Sequence, residues 1–165
     1  MSKNNEGEST EFVVYRPENM ISCGFGIGLI PFASGTFGTL SGLPIFFVLN
    51  YLFTEDFILL VILLMLAIGV LTCELTGRQL EDHDSSMIVW DEIVAFCFLL
   101  YFIPLTISWV AIGFILFRIF DILKPFPINL IDLRLRNGLG VMADDLLAAL
   151  FSLGVIYLLK MILMI

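Results

Sequence analysis

The sequence contains few charged residues, and very few basic ones, for its length. Its 165 residues include 8 Lys and Arg, 16 Asp and Glu and 1 His, which gives a formal net charge of −8. A nucleic-acid-binding chain would carry a basic stripe, so the sequence argues against that class. The 3 cysteines are far apart and form no CxxC pair, which disfavours a zinc or disulfide framework.

Hydrophobic residues dominate the composition of the chain. They make up 59% of the chain and charged residues only 15%, whereas a soluble domain is about half apolar and about a quarter charged. This excess of apolar surface must face something other than water, so we predict an all-α integral membrane protein, a helical bundle. The length suits about one domain. We expect a polar, interfacial segment over residues 1–21 and one membrane-embedded domain over residues 22–165.

Five apolar segments follow a glycine-rich motif at residues 24–42, which is too rich in glycine, with Pro31, to form one regular lipid-facing helix. Most of the segments have about 15–20 residues, which corresponds to about 23–30 Å of helix. We therefore expect about four or five membrane segments, and a re-entrant course of the glycine-rich motif is left open. The segments are Thr39–Phe53, Phe57–Thr72, Val89–Ile103, Ile107–Leu123 and Leu146–Ile165.

The basic residues indicate the orientation of the chain. All except Lys160 lie in the N-terminal segment or in or near the second and fourth corners, the polar loops at residues 78–86 and 124–138 between the apolar segments. Five crossings place those regions on one side of the membrane, and the positive-inside rule makes that side cytoplasmic. The residues are Lys3, Arg16, Arg78, Arg118, Lys124, Arg134 and Arg136.

Carboxylates inside the apolar segments are the most informative feature of the sequence. Each costs at least about 2.5–3.5 kcal/mol at membrane depth, so such residues usually pair, face a cavity or bind an ion. In the expected topology all of them lie at the cytoplasmic ends of their segments, and we predict that they converge there. They are Asp91, Glu92, Asp121, Asp144 and Asp145, with Asp84 just before them on the same side.

Structural roles explain part of this pattern. Arg118, Asp121 and Lys124 are spaced i, i+3, i+6 and share one helix face, where an ion pair at the membrane surface is sufficient. The Asp144–Asp145 pair suits a helix N-terminus, whose dipole favours acids. The sequence offers no comparable explanation for the acidic pair after Trp90.

The charge of the predicted cluster points to a bound cation. Six acids against Arg118 and Lys124 leave a formal charge of −4, which would not persist unpaired at low dielectric. Protonation of some acids is one solution, and Mg²⁺, which prefers carboxylate oxygens, is the other. Such an ion beside an Arg and a Lys that hold phosphate oxygens suits phosphoryl chemistry. Backbone N–H groups of the glycine-rich motif would add an anion-binding nest.

Other interpretations remain beside this one. A histidine nucleophile needs a second histidine, and the single His83 lies in a polar corner where we expect it to be solvated. A divalent-cation or proton-coupled transporter is the main alternative, and an assembly protein whose acids pair with a partner is another. A transporter needs acids toward both faces, whereas the outer corners carry only Glu55 and Asp56.

Four blocks of the sequence, taken together, resemble the bacterial phosphatidylglycerophosphatase A family. In order along about residues 22–151 they are GFGIGLIPFASGTFGTL, HDSSMIVWDEIVAF, FILFRIFDILKPFPI and GLGVMADDLLAAL. Where serines are common in the family's first block, this chain has Ile27 and Ile30. Ser34 and Thr36 are therefore the candidates for a hydroxyl contact with phosphate.

The resemblance implies a Mg²⁺-dependent hydrolase of the inner membrane that removes the terminal phosphate of phosphatidylglycerophosphate. The implied partners are this anionic phospholipid and membrane lipids, and the question of a homo-oligomer is left open. Water is our preferred nucleophile, and an aspartyl-phosphate intermediate is the second choice. We expect metal ligands at Asp91, Glu92, Asp144 and Asp145, catalytic residues at Asp84, Asp91, Asp121 and Asp145, and substrate contacts from Arg118, Lys124, Ser34 and Thr36.

Overall fold

The computed structural model describes residues 16–83 and 85–163, and all regular structure in these ranges is helical. This confirms the prediction of an all-α fold. A short helix and a 3₁₀ segment (Gly24–Leu29) precede the main bundle, and one more short helix interrupts it. The helices are α1 (Pro17–Ser22), α2 (Ser34–Leu52), α3 (Glu55–Leu80), α4 (Trp90–Phe102), α5 (Ile107–Leu123), α6 (Ile128–Arg134) and α7 (Gly138–Leu163).

Three of these helices, α2, α3 and α7, are long and apolar enough to cross a membrane. They have 19, 26 and 26 residues, which correspond to about 29–39 Å of helix against a hydrocarbon core of about 30 Å. The protein is therefore a helical membrane protein, as its composition predicts.

The five predicted apolar segments correspond to α2, α3, α4, α5 and α7, and two boundaries differ substantially. Helix α3 continues about two turns beyond the predicted end at Thr72, and α7 begins about two turns before the predicted start at Leu146. Several polar residues in these extensions, among them Thr76, Asp144 and Asp145, are buried inside the bundle, so they do not end the helix, whereas Arg78 is exposed.

Helix α2 shows how the bundle separates its lipid-facing and buried sides. Its outer face exposes Phe37, Leu40, Phe47 and Tyr51 at helical spacing, whereas small residues occupy much of the buried face. A Cβ atom at Gly42 would lie 3.2 Å from the carbonyl oxygen of Ile93. This absence of a side chain lets α4 pack close to α2.

Helix α4 occupies the centre of the bundle. Nine of its 13 residues are buried, and it packs against α2, α3 and α7. It is about 20 Å long, too short to cross a bilayer on its own. Because the long helices alternate in direction, one end of the bundle gathers the starts of α2, α4 and α7 and the end of α5.

Candidate active site

The largest group of charged side chains lines one cavity at that end of the bundle. The cavity has a volume of about 400 Å³ and is bounded by the start of α2, the loop before α4, the end of α5 and the start of α7. Five of the six predicted acids line it, together with both predicted cations, and Asp84 lies outside the described residues. The charged residues are Asp91, Glu92, Arg118, Asp121, Lys124, Asp144 and Asp145.

Three carboxylates come closest together. Asp91, Glu92 and Asp145 each offer one oxygen atom, and these three atoms lie within 4.8 Å of one another. Two oxygens on one Mg²⁺ lie at most about 4.2 Å apart because each Mg–O distance is about 2.1 Å. Small side-chain rotations would therefore bring all three atoms onto one ion.

Two oxygens of this group also lack hydrogen bonds. Oε2 of Glu92 and Oδ2 of Asp145 are buried and have no hydrogen-bond partner among the described residues. A buried carboxylate oxygen without a partner is costly, and a hard cation would satisfy it. The three-carboxylate group therefore fits a divalent metal ion.

Each of the two cations is paired with a different acid. Nη1 of Arg118 lies 2.5 Å from Oδ2 of Asp121, and Nζ of Lys124 donates to Oδ2 of Asp144 at 2.7 Å. Asp144 thus holds the lysine and is not part of the three-carboxylate group. With two cations against five acids, the cavity keeps a formal charge of −3.

The guanidinium of Arg118, which pairs with Asp121, also contacts the three-carboxylate group and helix α2. Its Nη1 lies 3.8 Å from Oε1 of Glu92 and donates a long hydrogen bond of 3.4 Å to Oγ1 of Thr39. The arginine therefore sits between the three-carboxylate group and α2, where a phosphate oxygen could replace one of its present partners.

The helix boundaries explain where the acids lie. Asp91 and Glu92 are in the first turn of α4, where the helix dipole favours acids, and the N–H of Glu92 donates to Oδ1 of Asp91 at 3.0 Å. This supplies the structural explanation that the sequence did not offer. The capping interpretation of Asp144–Asp145 is wrong, since both residues lie about two turns inside α7.

The start of α2 packs directly onto the charged groups. A Cβ atom at Gly35 would overlap Oε1 of Glu92 and lie 3.2 Å from both terminal nitrogens of Arg118. Ser34 lines the cavity, and its hydroxyl donates to the carbonyl oxygen of Ser86 at 2.7 Å. Thr36 is on the same turn of α2 but is not among the residues that line the cavity.

His83 and Glu74 belong to the surroundings of the site, although the sequence analysis gave neither a role there. His83 lines the cavity with only 24% of its side chain exposed, so the expectation that it is solvated is wrong. Its Nε2 lies 3.5 Å from Oε2 of Glu74, which also accepts the N–H of Gly138 at 2.7 Å. Glu74, with Arg78 four residues later, was a signal of a polar helix end that sequence reasoning could have used.

A buried polar network attaches α1 to α3. Oγ1 of Thr76 donates to Oδ1 of Asn19 at 2.9 Å, and the hydroxyls of Thr76 and Ser22 lie 2.7 Å apart. Nδ2 of Asn19 donates to Oε1 of Gln79 at 3.0 Å. The carbonyl oxygen of Ser22 accepts the N–H of Val89 at 2.9 Å. The network therefore fixes the residue that precedes the acidic first turn of α4.

The fold and the site together define a helical membrane protein with a buried cluster of carboxylates and cations at one end. The chain belongs to the phosphatidylglycerophosphatase A family, because the model of that family, Phosphatidylglycerophosphatase A, matches residues 20–160.

Individual relatives agree with this assignment. The chain is 39% identical to the Phosphatidylglycerophosphatase A of Haemophilus influenzae Rd, over 95% of this chain and 96% of that protein. It is 37% identical to the Phosphatidylglycerophosphatase A of Escherichia coli K12, over 86% of this chain and 82% of that protein. A Putative phosphatidylinositol-3-phosphatase of Bacteroides thetaiotaomicron is 34% identical over 81% of this chain and 87% of that protein. Among solved structures, none matches the chain significantly.

Proposed function

We propose that the protein is a Mg²⁺-dependent phosphatase that removes the terminal phosphate of phosphatidylglycerophosphate and releases phosphatidylglycerol. The observation that carries the proposal is the group of three carboxylate oxygens, within 4.8 Å of one another, beside Arg118 and Lys124 in one cavity. Family membership and two relatives named for this activity support the choice of substrate. The relative named for a phosphatidylinositol phosphate supports a lipid phosphomonoester as the broader substrate class.

In this proposal one group of charged residues binds the metal and another binds the phosphate. Asp91, Glu92 and Asp145 would hold Mg²⁺, which when bound supplies charge neutralisation at the phosphate and lowers the pKa of water. Arg118 and Lys124 hold the oxygens of the terminal phosphate. Asp121 and Asp144, which pair with these cations, orient them toward the cavity.

The reaction is proposed to be a direct attack of water on phosphorus. The oxygen of water forms a new bond to phosphorus, the ester P–O bond breaks, and the glycerol oxygen leaves and takes up a proton. Asp121 or Asp84 accepts the proton of water, and Arg118 stabilises the charge that develops on the phosphoryl oxygens. An aspartyl-phosphate intermediate is the competing course of the reaction.

We also propose that the protein is a multi-pass protein of the bacterial inner membrane with this cavity on the cytoplasmic side. The support is the placement of basic residues at the end of the bundle that carries the cavity. Arg78, Lys124 and Arg134 lie at or near helix termini on this side.

The proposal is tested by phosphate release from phosphatidylglycerophosphate in mixed micelles by the purified protein. We expect turnover with Mg²⁺, loss of turnover with EDTA, and recovery when Mg²⁺ is added back. Asp91→Asn should be nearly inactive, whereas Asp56→Asn, a matched change at the opposite end of the bundle, should retain wild-type activity. Comparable turnover by the wild type and Asp91→Asn would exclude the assigned site. Absence of phosphate release from any lipid phosphomonoester would exclude the enzyme.

The nucleophile is tested by hydrolysis in ¹⁸O-labelled water. Direct attack by water predicts one labelled oxygen in the phosphate released in a single turnover. An aspartyl phosphate hydrolysed at phosphorus would give the same label, so the deciding result is the absence of phosphorylated protein after an acid quench. A phosphorylated aspartate trapped in the quench would establish the covalent course of the reaction.

A further inference from the structure

A second cavity adjoins the candidate active site on the side of α2. It has a volume of about 230 Å³ and is lined by residues 28–34 together with Ser86 and Met87. Ala33, Ser34 and Ser86 also line the charged cavity, so the two spaces share a wall. We call this second cavity the loop groove.

The loop groove differs from the charged cavity in its chemistry. None of the described residues that line it carries a charged side chain, and its hydrogen-bonding groups are backbone groups and the hydroxyls of Ser34 and Ser86. The charged cavity next to it contains five acids and two cations. A ligand with a charged end and an uncharged, ester-containing end would therefore place its phosphate in the charged cavity and its uncharged end in the loop groove.

The loop groove is also continuous with the lipid-facing surface of α2. Phe32, at its rim, is 67% exposed, and its ring packs edge-to-face on Phe37 with centroids 5.6 Å apart. Phe37 begins the exposed apolar face of α2 that continues through Leu40 and Phe47. An apolar surface thus leads from the side of a membrane-spanning helix to the rim of the groove.

The passage from the groove to the charged groups is short. Ser34 borders both cavities, and the next residue, Gly35, lies against Glu92 and Arg118 without a side chain between them. A headgroup that leaves the groove at Ser34 would reach Arg118 after passing only one residue of α2, Gly35.

We propose that the loop groove binds the glycerol-ester region of the lipid substrate, which enters from the bilayer along the exposed face of α2. The acyl chains stay against Phe37 and Leu40. The charged phosphodiester and the glycerol of the headgroup leave the groove past Gly35, and the terminal phosphate reaches Arg118 and the three carboxylates. This inference rests on the proposed function, since it names how the same site recognises that its phosphomonoester belongs to a lipid.

The test compares the lipid with its own headgroup. Dioleoyl phosphatidylglycerophosphate with a ³²P-labelled terminal phosphate serves as the substrate in mixed micelles, so that only its own phosphate release is counted. Its unlabelled deacylated headgroup, glycerophosphoglycerophosphate, carries the same terminal phosphate and serves as the competitor. Ile30→Trp fills the groove from a residue that does not line the charged cavity. We expect this variant to raise the KM for the lipid at least tenfold while the Ki of the headgroup changes less than twofold.

A second, milder variant keeps the test decisive if Ile30→Trp does not fold. Phe32→Ala should raise the KM for the lipid about three- to tenfold with little change in kcat. Leu63→Ala, at an exposed apolar position of a different helix, α3, should leave both constants unchanged. Equal changes in lipid KM and headgroup Ki, or unchanged lipid KM in both groove variants, would overturn the inference while leaving the proposed function intact. A wild-type protein that hydrolyses no lipid phosphomonoester would overturn the proposed function and this inference with it.

Discussion

The two ends of the helical bundle enclose cavities of similar size and very different content. The cavity at the end opposite to the charged one has a volume of about 330 Å³, against about 400 Å³ for the candidate site. Among the described residues that line it, Glu55 is the only charged one, and its other walls include Phe46, Asn50 and Tyr101. The volume of a cavity therefore does not distinguish the two ends of this protein. The charge of the residues that line the cavity does.

The acidic residues at the two ends also differ in their exposure to solvent. Glu55 and Asp56 are exposed at the start of α3, where water solvates them. Asp144 and Asp145 are only 5% and 4% exposed, although α7 is otherwise strongly apolar. Carboxylates that are buried at such a cost require a compensating partner, and this is the physical reason to assign function to that end.

The largest effect is expected from two adjacent aspartates with different partners. Asp145→Asn should lower kcat/KM for phosphate release about 10³-fold, or about 4 kcal/mol, because it removes a proposed metal ligand. Asp144→Asn should cost only about 10- to 100-fold, because it releases the lysine and leaves the three-carboxylate group in place.

The two aspartate variants should also differ in their demand for metal. We expect Asp145→Asn to require a much higher Mg²⁺ concentration for half-maximal activity, and Asp144→Asn to change this concentration little. Equal losses and equal Mg²⁺ demands in the two variants would contradict the separate roles assigned to Asp144 and Asp145.

Arg118→Lys is expected to produce the next largest effect. The substitution keeps the positive charge but removes the planar fork that contacts Asp121, Glu92 and Thr39. We expect kcat/KM to fall about tenfold, or about 1.4 kcal/mol. Steady-state kinetics check this, with Arg16→Lys, an exposed arginine outside the cavity, as the control. An Arg118→Lys enzyme with wild-type kinetics would remove the arginine from the phosphate site.

The polar network between α1 and α3 should affect stability by a smaller amount. Thr76→Val removes the hydroxyl that contacts both Asn19 and Ser22, and we expect a loss of about 1–2 kcal/mol in the free energy of unfolding. Denaturation by SDS in mixed micelles measures this. Ser41→Ala, which removes a hydrogen bond to Gly38 within α2, should cost less, and the reverse order would contradict the importance of the network.

The smallest effect is expected at the end of the bundle opposite to the candidate site. The hydroxyl of Tyr157 donates to the carbonyl oxygen of Phe102 at 3.0 Å from an exposed position. Tyr157→Phe should lower the free energy of unfolding by less than about 1 kcal/mol and leave phosphate release unchanged. A large loss of activity in this variant would show that the two ends are coupled and that the contrast between them is too simple.

The sequence predicts the helices and the convergence of their acids well, because both depend on local patterns. Apolar runs set the positions of the five main helices, and the cost of burying carboxylates predicts that residues as distant as Asp91 and Asp145 meet in one cavity. The sequence does not predict helix ends that are hidden by tertiary contacts. Gly138, which the sequence placed before α7, begins that helix because Glu74 of α3 accepts its N–H group.

The pairing of charges was equally inaccessible from the sequence. Asp144 and Asp145 are adjacent, and nothing local distinguishes the one that holds Lys124 from the one that joins Asp91 and Glu92. Their side chains diverge because successive residues of a helix point about 100° apart. The partial burial of His83 was not predicted either, because it depends on how the turn after α3 folds back onto Gly77 and Glu74 of that helix.

The short central helix has a consequence for how the protein is made. A segment of about 20 Å with an acidic first turn has little to gain from lipid on its own, so α4 becomes stable in the membrane only when α2, α3 and α7 surround it. Asp91 and Glu92 therefore reach the cavity only in the assembled bundle. A partly assembled chain would lack the three-carboxylate group, so the proposed hydrolysis of a membrane lipid would require the complete bundle.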